Sequence, residues 1–230
     1  MADEDEDFWR SYYTGVHGQG QEWLDYSNEM VQVQGFGLAL EAAGRVVGRS
    51  ALDVGCGMGR FTQLLHALGA VPVVGLELIS GTVAALRQRA PEISWHAGDA
   101  GEAASYAGLT GSDLVFALEV LQYVPFAPTL RLLWQQVRPG GRLIGLIPNR
   151  ACPIVAKPMA RFAGRYHAVD EDEIALALGE LPGLETWRLR GLRFAADQVV
   201  APYAVTPWSS AAAIEPVPNR FQFVALRQAG

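Results

Sequence analysis

The chain has 230 residues, half of them hydrophobic, which suits one sizeable core although it exceeds the ~100–200 residues usual for a domain. With 18 Lys and Arg against 24 Asp and Glu, a net charge of −6 and a pI near 5.2, it lacks the clustered basic surface that a general nucleic-acid binder needs. The only two cysteines, Cys56 and Cys152, are too far apart for a disulfide framework or a paired-cysteine zinc site, and no apolar run approaches the ~18 residues of a membrane span.

The first stretch, "MADEDED", is acidic where a secretion signal would be basic. We expect residues 1–7 to be a disordered acidic tail and the protein to be cytoplasmic, with neither nucleic acid nor membrane as a partner. Residues 8–48 hold Phe8, Trp9, Tyr12, Tyr13, Trp23, Tyr26 and Phe36. So many aromatics call for burial, either in a helix packed on the body of the fold or in a helical lid over a site. From residue 50 short apolar strands alternate with amphipathic stretches, the pattern of an α/β fold with a mainly parallel sheet. Strands are expected at "SALDVG", "VPVVGLEL", "ISWHAG", "DLVFAL" and "GRLIGLIP", and helices at "RFTQLLHAL", "SGTVAALRQRA" and "PTLRLLWQQVR". "RPGGR" at 138–142 reads as a helix stop and turn before the next strand.

Beyond residue 148 the alternation loosens. "VDEDEIALALG" has the form of a helix opened by Asp170, with Glu173 completing a capping box. Two β-like runs follow, "LETWRLRGLRF" and "NRFQFVALR", joined by the Pro- and Ala-containing "APYAVTPWSSAAAIEPVPN", which has the length of a functional flap. The whole is expected to be a single domain with the cofactor-binding core at 49–148 and substrate-side elements at 149–230.

The most informative stretch is "ALDVGCGMGRF", a buried strand that runs into Gly55, Gly57 and Gly59 and then a helix. Such a turn lets a ligand approach the backbone and the unpaired N–H groups of the helix start. Two cofactor classes compete for it. The dinucleotide pattern G-x-G-x-x-G would place its third glycine at Arg60, whereas this chain has G-x-G-x-G. Glu77, ending the next strand, can accept hydrogen bonds from both hydroxyls of a ribose in either class. Asp99, after the third strand, stands where a carboxylate can accept from an adenine amine, and it favours S-adenosylmethionine.

Asp53 to Gly59, Glu77, "GDA" at 98–100, "DLVFALEVLQYV" at 113–124 and "VRPGGRL" at 137–143 together resemble the successive motifs of class I S-adenosylmethionine-dependent methyltransferases. The likeness covers residues 50–148 and is greatest to the small-molecule branch that includes the ubiquinone- and menaquinone-biosynthesis enzymes. The resemblance implies a Rossmann-like fold with a mainly parallel seven-stranded sheet, flanked by helices, whose last strand is antiparallel. It also implies that Asp53 and the turn from Gly55 through Cys56 and Gly57 to Gly59 hold the methionine end. Glu77 would take the ribose, Leu78 and Ala100 the faces of the adenine, and Asp99 its amine. Leu118 and Glu119 would lie beneath the sulfonium, and S-adenosylhomocysteine would be the product.

Methyl transfer from a sulfonium needs orientation and exclusion of water, with a base only for a poor nucleophile. Tyr123 stands where the ubiquinone-related enzymes often carry histidine and could reach the acceptor with its hydroxyl, or simply pack. Glu119 could orient the acceptor or the methionine amine. His167 and His17, in segments able to close over the acceptor, are candidate bases because imidazole titrates near neutrality. Lys157, Arg161 and Arg165 would share one face of a helix, with Arg150 just upstream, and could recognise an anionic acceptor or an acidic carrier protein. No metal is expected. These features point to methylation of an oxygen, or less favourably a nitrogen, of a small metabolite by a monomer or homodimer. A carrier-bound or protein substrate, or a cofactor-binding scaffold without transfer, is the alternative.

Overall fold

A computed structural model describes residues 6–12, 29–162, 164–193, 204–208 and 217–230. In chain order the helices are α1 (6–12), α2 (Glu29–Ala43), α3 (Arg60–Ala67), α4 (Ser80–Arg89), α5 (Phe126–Gln135), α6 (Pro153–Arg161) and α7 (Glu171–Gly179). The strands are β1 (Ala51–Val54), β2 (Val73–Glu77), β3 (Ser94–Ala97), β4 (Ser112–Leu118), β5 (Val137–Pro148), β6 (Leu184–Arg193), β7 (Ala204–Val205) and β8 (Arg220–Arg227). Single 3₁₀ turns lie at Ala103–Tyr106 and Leu121–Tyr123. His17 and most of the expected flap fall outside the described residues.

The sheet runs β3-β2-β1-β4-β5-β8-β6-β7, with β1 to β5 parallel and β8 antiparallel between β5 and β6. This is the expected Rossmann-like sheet with its last strand reversed, plus the two-residue edge strand β7, which the sequence pattern does not show. Four buried residues make up β1 because it pairs on both edges and is covered on both faces. One core packs α2, α3 and α4 through Ala39, Phe61, Leu65 and Leu86; the other packs α5 and α7 through Leu130, Trp134 and Ile174. The chain leaves β1 towards β2 and β3 on one side and resumes on the other at β4. Between β1 and β4 the carboxyl ends therefore open into the crevice where ligands of such sheets bind.

Local chemistry explains most boundaries. Asp170 Oδ1 accepts from the Glu173 N–H and Glu173 Oε2 from the Asp170 N–H, both at 2.9 Å, so the expected capping box opens α7. Three expectations need correction. "RPGGR" does not interrupt the chain: β5 begins at Val137, and the turn-like residues are absorbed by a shift of register against β4 between Ser112 and Leu114. Helix α6 ends at Arg161 and Gly164 follows with φ +81°, so Arg165 lies beyond the helix and does not share its face. Glu6 and Asp7, assigned to a disordered tail, are helical and ion-paired with Arg10.

Candidate active site

Three glycines turn the chain from β1 into α3, and their surroundings differ. A Cβ on Gly55 would come within 2.4 Å of Val120 Cγ2, and one on Gly59 within 2.5 Å of Trp95 Cη2. These two are bare because other parts of the protein press on them. Gly57, at φ +53°, would meet nothing within 4 Å. It is the open point of the turn, where a ligand can reach the main chain.

Glu77 braces that point from the end of β2. Its Oε2 accepts from the Gly57 N–H at 2.9 Å and its Oε1 from the Ile79 N–H at 3.1 Å, leaving each oxygen a further lone pair. Burial pushes its pKa up, and the main-chain N–H groups of Ile79, Gly57 and Leu78 oppose the shift. Asp53 lies beneath the turn, 3% exposed, with Oδ2 accepting from Thr62 Oγ1 of α3 at 2.6 Å. Burial, reinforced by the charge of Glu77, pushes its carboxyl up to about 7. The same two causes hold Cys56 as a thiol, first burial and then the Asp53 and Glu77 charges. Asp99, at the end of the β3 loop, accepts from the Gly101 N–H through Oδ1 at 2.7 Å, and no described residue donates to its Oδ2. Ala100 is buried against the core with its carbonyl held by the Tyr106 hydroxyl at 2.7 Å, and Leu78 is half-buried at the strand end.

Across the crevice, β4 ends in Leu118 and Glu119. Glu119 has φ +58°, a left-handed conformation unusual for a residue with a side chain. Its Oε1 accepts from Arg220 Nε at 2.5 Å and its Oε2 from Gln122 Nε2 at 3.3 Å. Arg220 opens β8 and, because that strand is reversed, it sits at the carboxyl edge of its neighbours. Burial works against its charge, but Glu119 and then the Tyr166 phenol keep its pKa raised. The Tyr166 phenol is in turn pushed up to about 12, chiefly by burial.

Aromatic rings roof this polar cluster. The Trp9 ring of α1 lies 4.7 Å from that of Tyr123 and 5.5 Å from that of Phe162, and Tyr123 lies 5.5 Å from Tyr166. At the other end of α1, Glu6 accepts from the Ser80 hydroxyl at 2.8 Å, just past the end of β2. Helix α1 thus touches both the Glu77 side and the Tyr123 side, as a lid would.

The roof also engages Arg161 and Arg165, two of the cations expected to meet an anionic acceptor; the Lys157 side chain lies outside the described residues. The Arg161 guanidinium stands 5.3 Å over the Tyr12 and Phe162 rings, and that of Arg165 stands 4.5 Å over Phe8. Arg150 is tied to Ala168, Asp170 and Glu173. The imidazole of His167 is exposed; only its backbone N–H joins the cluster, donating to the Gln122 carbonyl at 2.6 Å. Sequence reasoning missed Arg220. Its signal was the cation opening the final strand in "NRF", since a reversed strand starts where its parallel neighbours finish.

Residues 52–145 match the family described as Methyltransferase domain. Among solved structures, magnesium protoporphyrin IX methyltransferase from Synechocystis, with bound S-adenosylhomocysteine, superposes with a TM-score of 0.67 at 19% identity, covering 99% of this chain and 100% of that one. An S-adenosylmethionine-dependent methyltransferase from Thermotoga maritima gives 0.65 at 15% identity over 99% and 100% of the two chains. The N-methyltransferase NodS from Bradyrhizobium japonicum, also with S-adenosylhomocysteine, gives 0.61 at 18% identity over 91% and 92%. No curated protein matches.

The fold is the one these S-adenosylmethionine-dependent methyltransferases share. Residues 52–145 match a methyltransferase domain, and the likeness to the solved structures carries the fold over the rest of the chain. The residues present fit that cofactor: an open glycine at 57, a carboxylate with free lone pairs at 77 and an uncommitted Oδ2 at 99. Among the described residues no helix is long and apolar enough to cross a membrane, and no group of acidic, His and Cys side chains forms a metal site.

Proposed function

We propose that the protein methylates an oxygen, and less favourably a nitrogen, of a small metabolite. The observation that carries this reading is the polar cluster of Glu119, Gln122, Tyr123 and Arg220 beneath the aromatic roof. Its Glu119 follows β4, one residue before the Val120 side chain that packs on the glycine turn. A metabolite-sized acceptor suits a site roofed by α1.

In this reading S-adenosylmethionine supplies a carbon already activated by its sulfonium. Glu77 holds the ribose hydroxyls, Asp99 receives the adenine amine, and Leu78 and Ala100 flank the ring. Gly55, Cys56, Gly57 and Gly59 bed the methionine end with Asp53 beneath them, and Leu118 closes the crevice under the sulfur. Glu119 and Tyr123 orient the acceptor, while Trp9 and Phe162 keep water out. An acceptor hydroxyl can pass its proton to Glu119; the His167 imidazole, turned to solvent, takes no part. With Arg150, Arg161 and Arg165 engaged within the fold, the helix face that would have met an acidic carrier is largely spent. The test is S-adenosylhomocysteine formation across a panel of phenols, carboxylic acids and amines. Turnover with a phenol or acid supports O-methylation, turnover confined to amines corrects the atom, and none across the panel contradicts the reading.

A further inference from the structure

The Arg220 guanidinium is only partly used. Its Nε donates to Glu119 Oε1 at 2.5 Å and its Nη1 to the Asn219 carbonyl at 2.9 Å, while its Nη2 meets no acceptor among the described residues. A guanidinium is a planar fork of five donors suited to a second oxygen anion beside the first. The ion pair is not sealed: the Arg220 and Glu119 side chains keep 22% and 31% of their exposure. The Tyr123 and Tyr166 phenols lie close enough to act electrostatically on Arg220.

Two details show a cluster constrained towards one geometry yet incomplete. Glu119 is held at φ +58°, a placement that costs about 1 kcal/mol for a residue with a side chain and is kept where the surroundings enforce it. Gln122 is 2% exposed; its Nε2 serves Glu119, and its buried Oε1 has no donor among the described residues. Such a group is costly unless something supplies the missing proton.

We infer that Arg220 anchors the acceptor, which is a small aromatic compound carrying an acidic oxygen, a carboxylate or phenolate, bound at the open Nη2 of the guanidinium beside the paired rings of Tyr123 and Tyr166. Glu119 fixes the plane of the fork, so the anion enters along one edge and the methylated group is turned towards the crevice. Arg220 acts here as a specificity-determining residue. The inference rests on the methyl-transfer reading and adds to it the class of acceptor.

The test uses the full chain saturated with S-adenosylhomocysteine and titrated calorimetrically with 4-hydroxybenzoate and with 4-hydroxybenzamide, which share a shape and differ in charge. Wild-type protein is expected to bind the acid at least tenfold more tightly. Arg220→Met removes the preference, Arg220→Lys keeps part of it, and S-adenosylhomocysteine affinity stays within twofold in both variants. Equal binding of the two probes, or binding of neither, overturns the inference while leaving methyl transfer intact. Loss of S-adenosylhomocysteine affinity in Arg220→Lys also overturns it, by placing the guanidinium on the methionine carboxylate. Wild-type protein that fails to bind S-adenosylhomocysteine contradicts the underlying reading instead.

Discussion

On the β1–β3 side of the crevice, the polar groups are main-chain N–H groups and carboxylates that end successive strands. On the β4–β8 side they are side chains gathered from both ends of the chain: Trp9 from α1, Tyr123 after β4, Phe162 and Tyr166 after α6, and Arg220 from β8. A site made of strand ends follows wherever the sheet forms, because the register of parallel neighbours sets the spacing. One made of side chains from distant segments exists only once the last strand and the first helix have docked. The first arrangement fixes a common cofactor, and the second leaves the acceptor free to differ between enzymes of one fold.

The glycine turn gives the largest effects by which that contrast can be broken. Gly55→Ala would drive a methyl to 2.6 Å from Val120 Cβ at φ +70°, so it should cost about 2–4 kcal/mol of stability. Gly57→Ala should cost only about 1 kcal/mol of backbone strain, yet lower S-adenosylhomocysteine affinity tenfold or more, because its methyl enters the ligand's space. Denaturant melts paired with calorimetry separate the two. Similar stability loss in both would mean that Gly57 is also merely packed.

Asp53 supplies the next effect. Its folded pKa of about 7 lies above the ordinary 3.8, so the native state binds the proton more tightly. Its contribution is intact below pH 4 and is lost as pH rises towards 7, by roughly 2–4 kcal/mol. Asp53→Asn keeps an acceptor for Thr62 and cannot ionise. Urea unfolding at pH 5 and pH 8 should show the wild type losing stability relative to the variant; parallel curves would mean that Asp53 is charged throughout.

The smallest effect concerns helix α1. Burial works against the Glu6 charge, but donation from Ser80 and then Arg10 holds its carboxyl below the usual value. Glu6→Gln should weaken α1 docking by about 0.5–1 kcal/mol, read as faster amide exchange over residues 6–12 with the sheet unaffected. Unchanged exchange would show that the rings of Phe8 and Trp9 hold the helix alone.

The same contrast explains what could be read in advance. The placement of Glu77, Asp99 and the glycine turn at strand ends was legible because each marks a switch from apolar strand to polar loop, a purely local signal. The basic face at 157–165 misled because helical spacing cannot foresee that Gly164 ends the run or that aromatic rings claim Arg161 and Arg165. "RPGGR" carries turn residues, and only its Arg142 pairs with β4; residues 138–141 form the irregularity between two paired stretches, which local preference cannot place within one strand. Arg220 escaped notice because its partner, Glu119, is a hundred residues away in the chain and adjacent only through strand order.

The central claim, that the Glu77 crevice binds S-adenosylmethionine, is tested most directly by titrating wild-type and Glu77→Ala protein separately with S-adenosylmethionine, S-adenosylhomocysteine and NADH. We predict micromolar binding of both sulfur ligands to the wild type, none of NADH, and a loss of about 1–3 kcal/mol in the variant. Binding of NADH alone, or unchanged affinity in Glu77→Ala, would contradict the account.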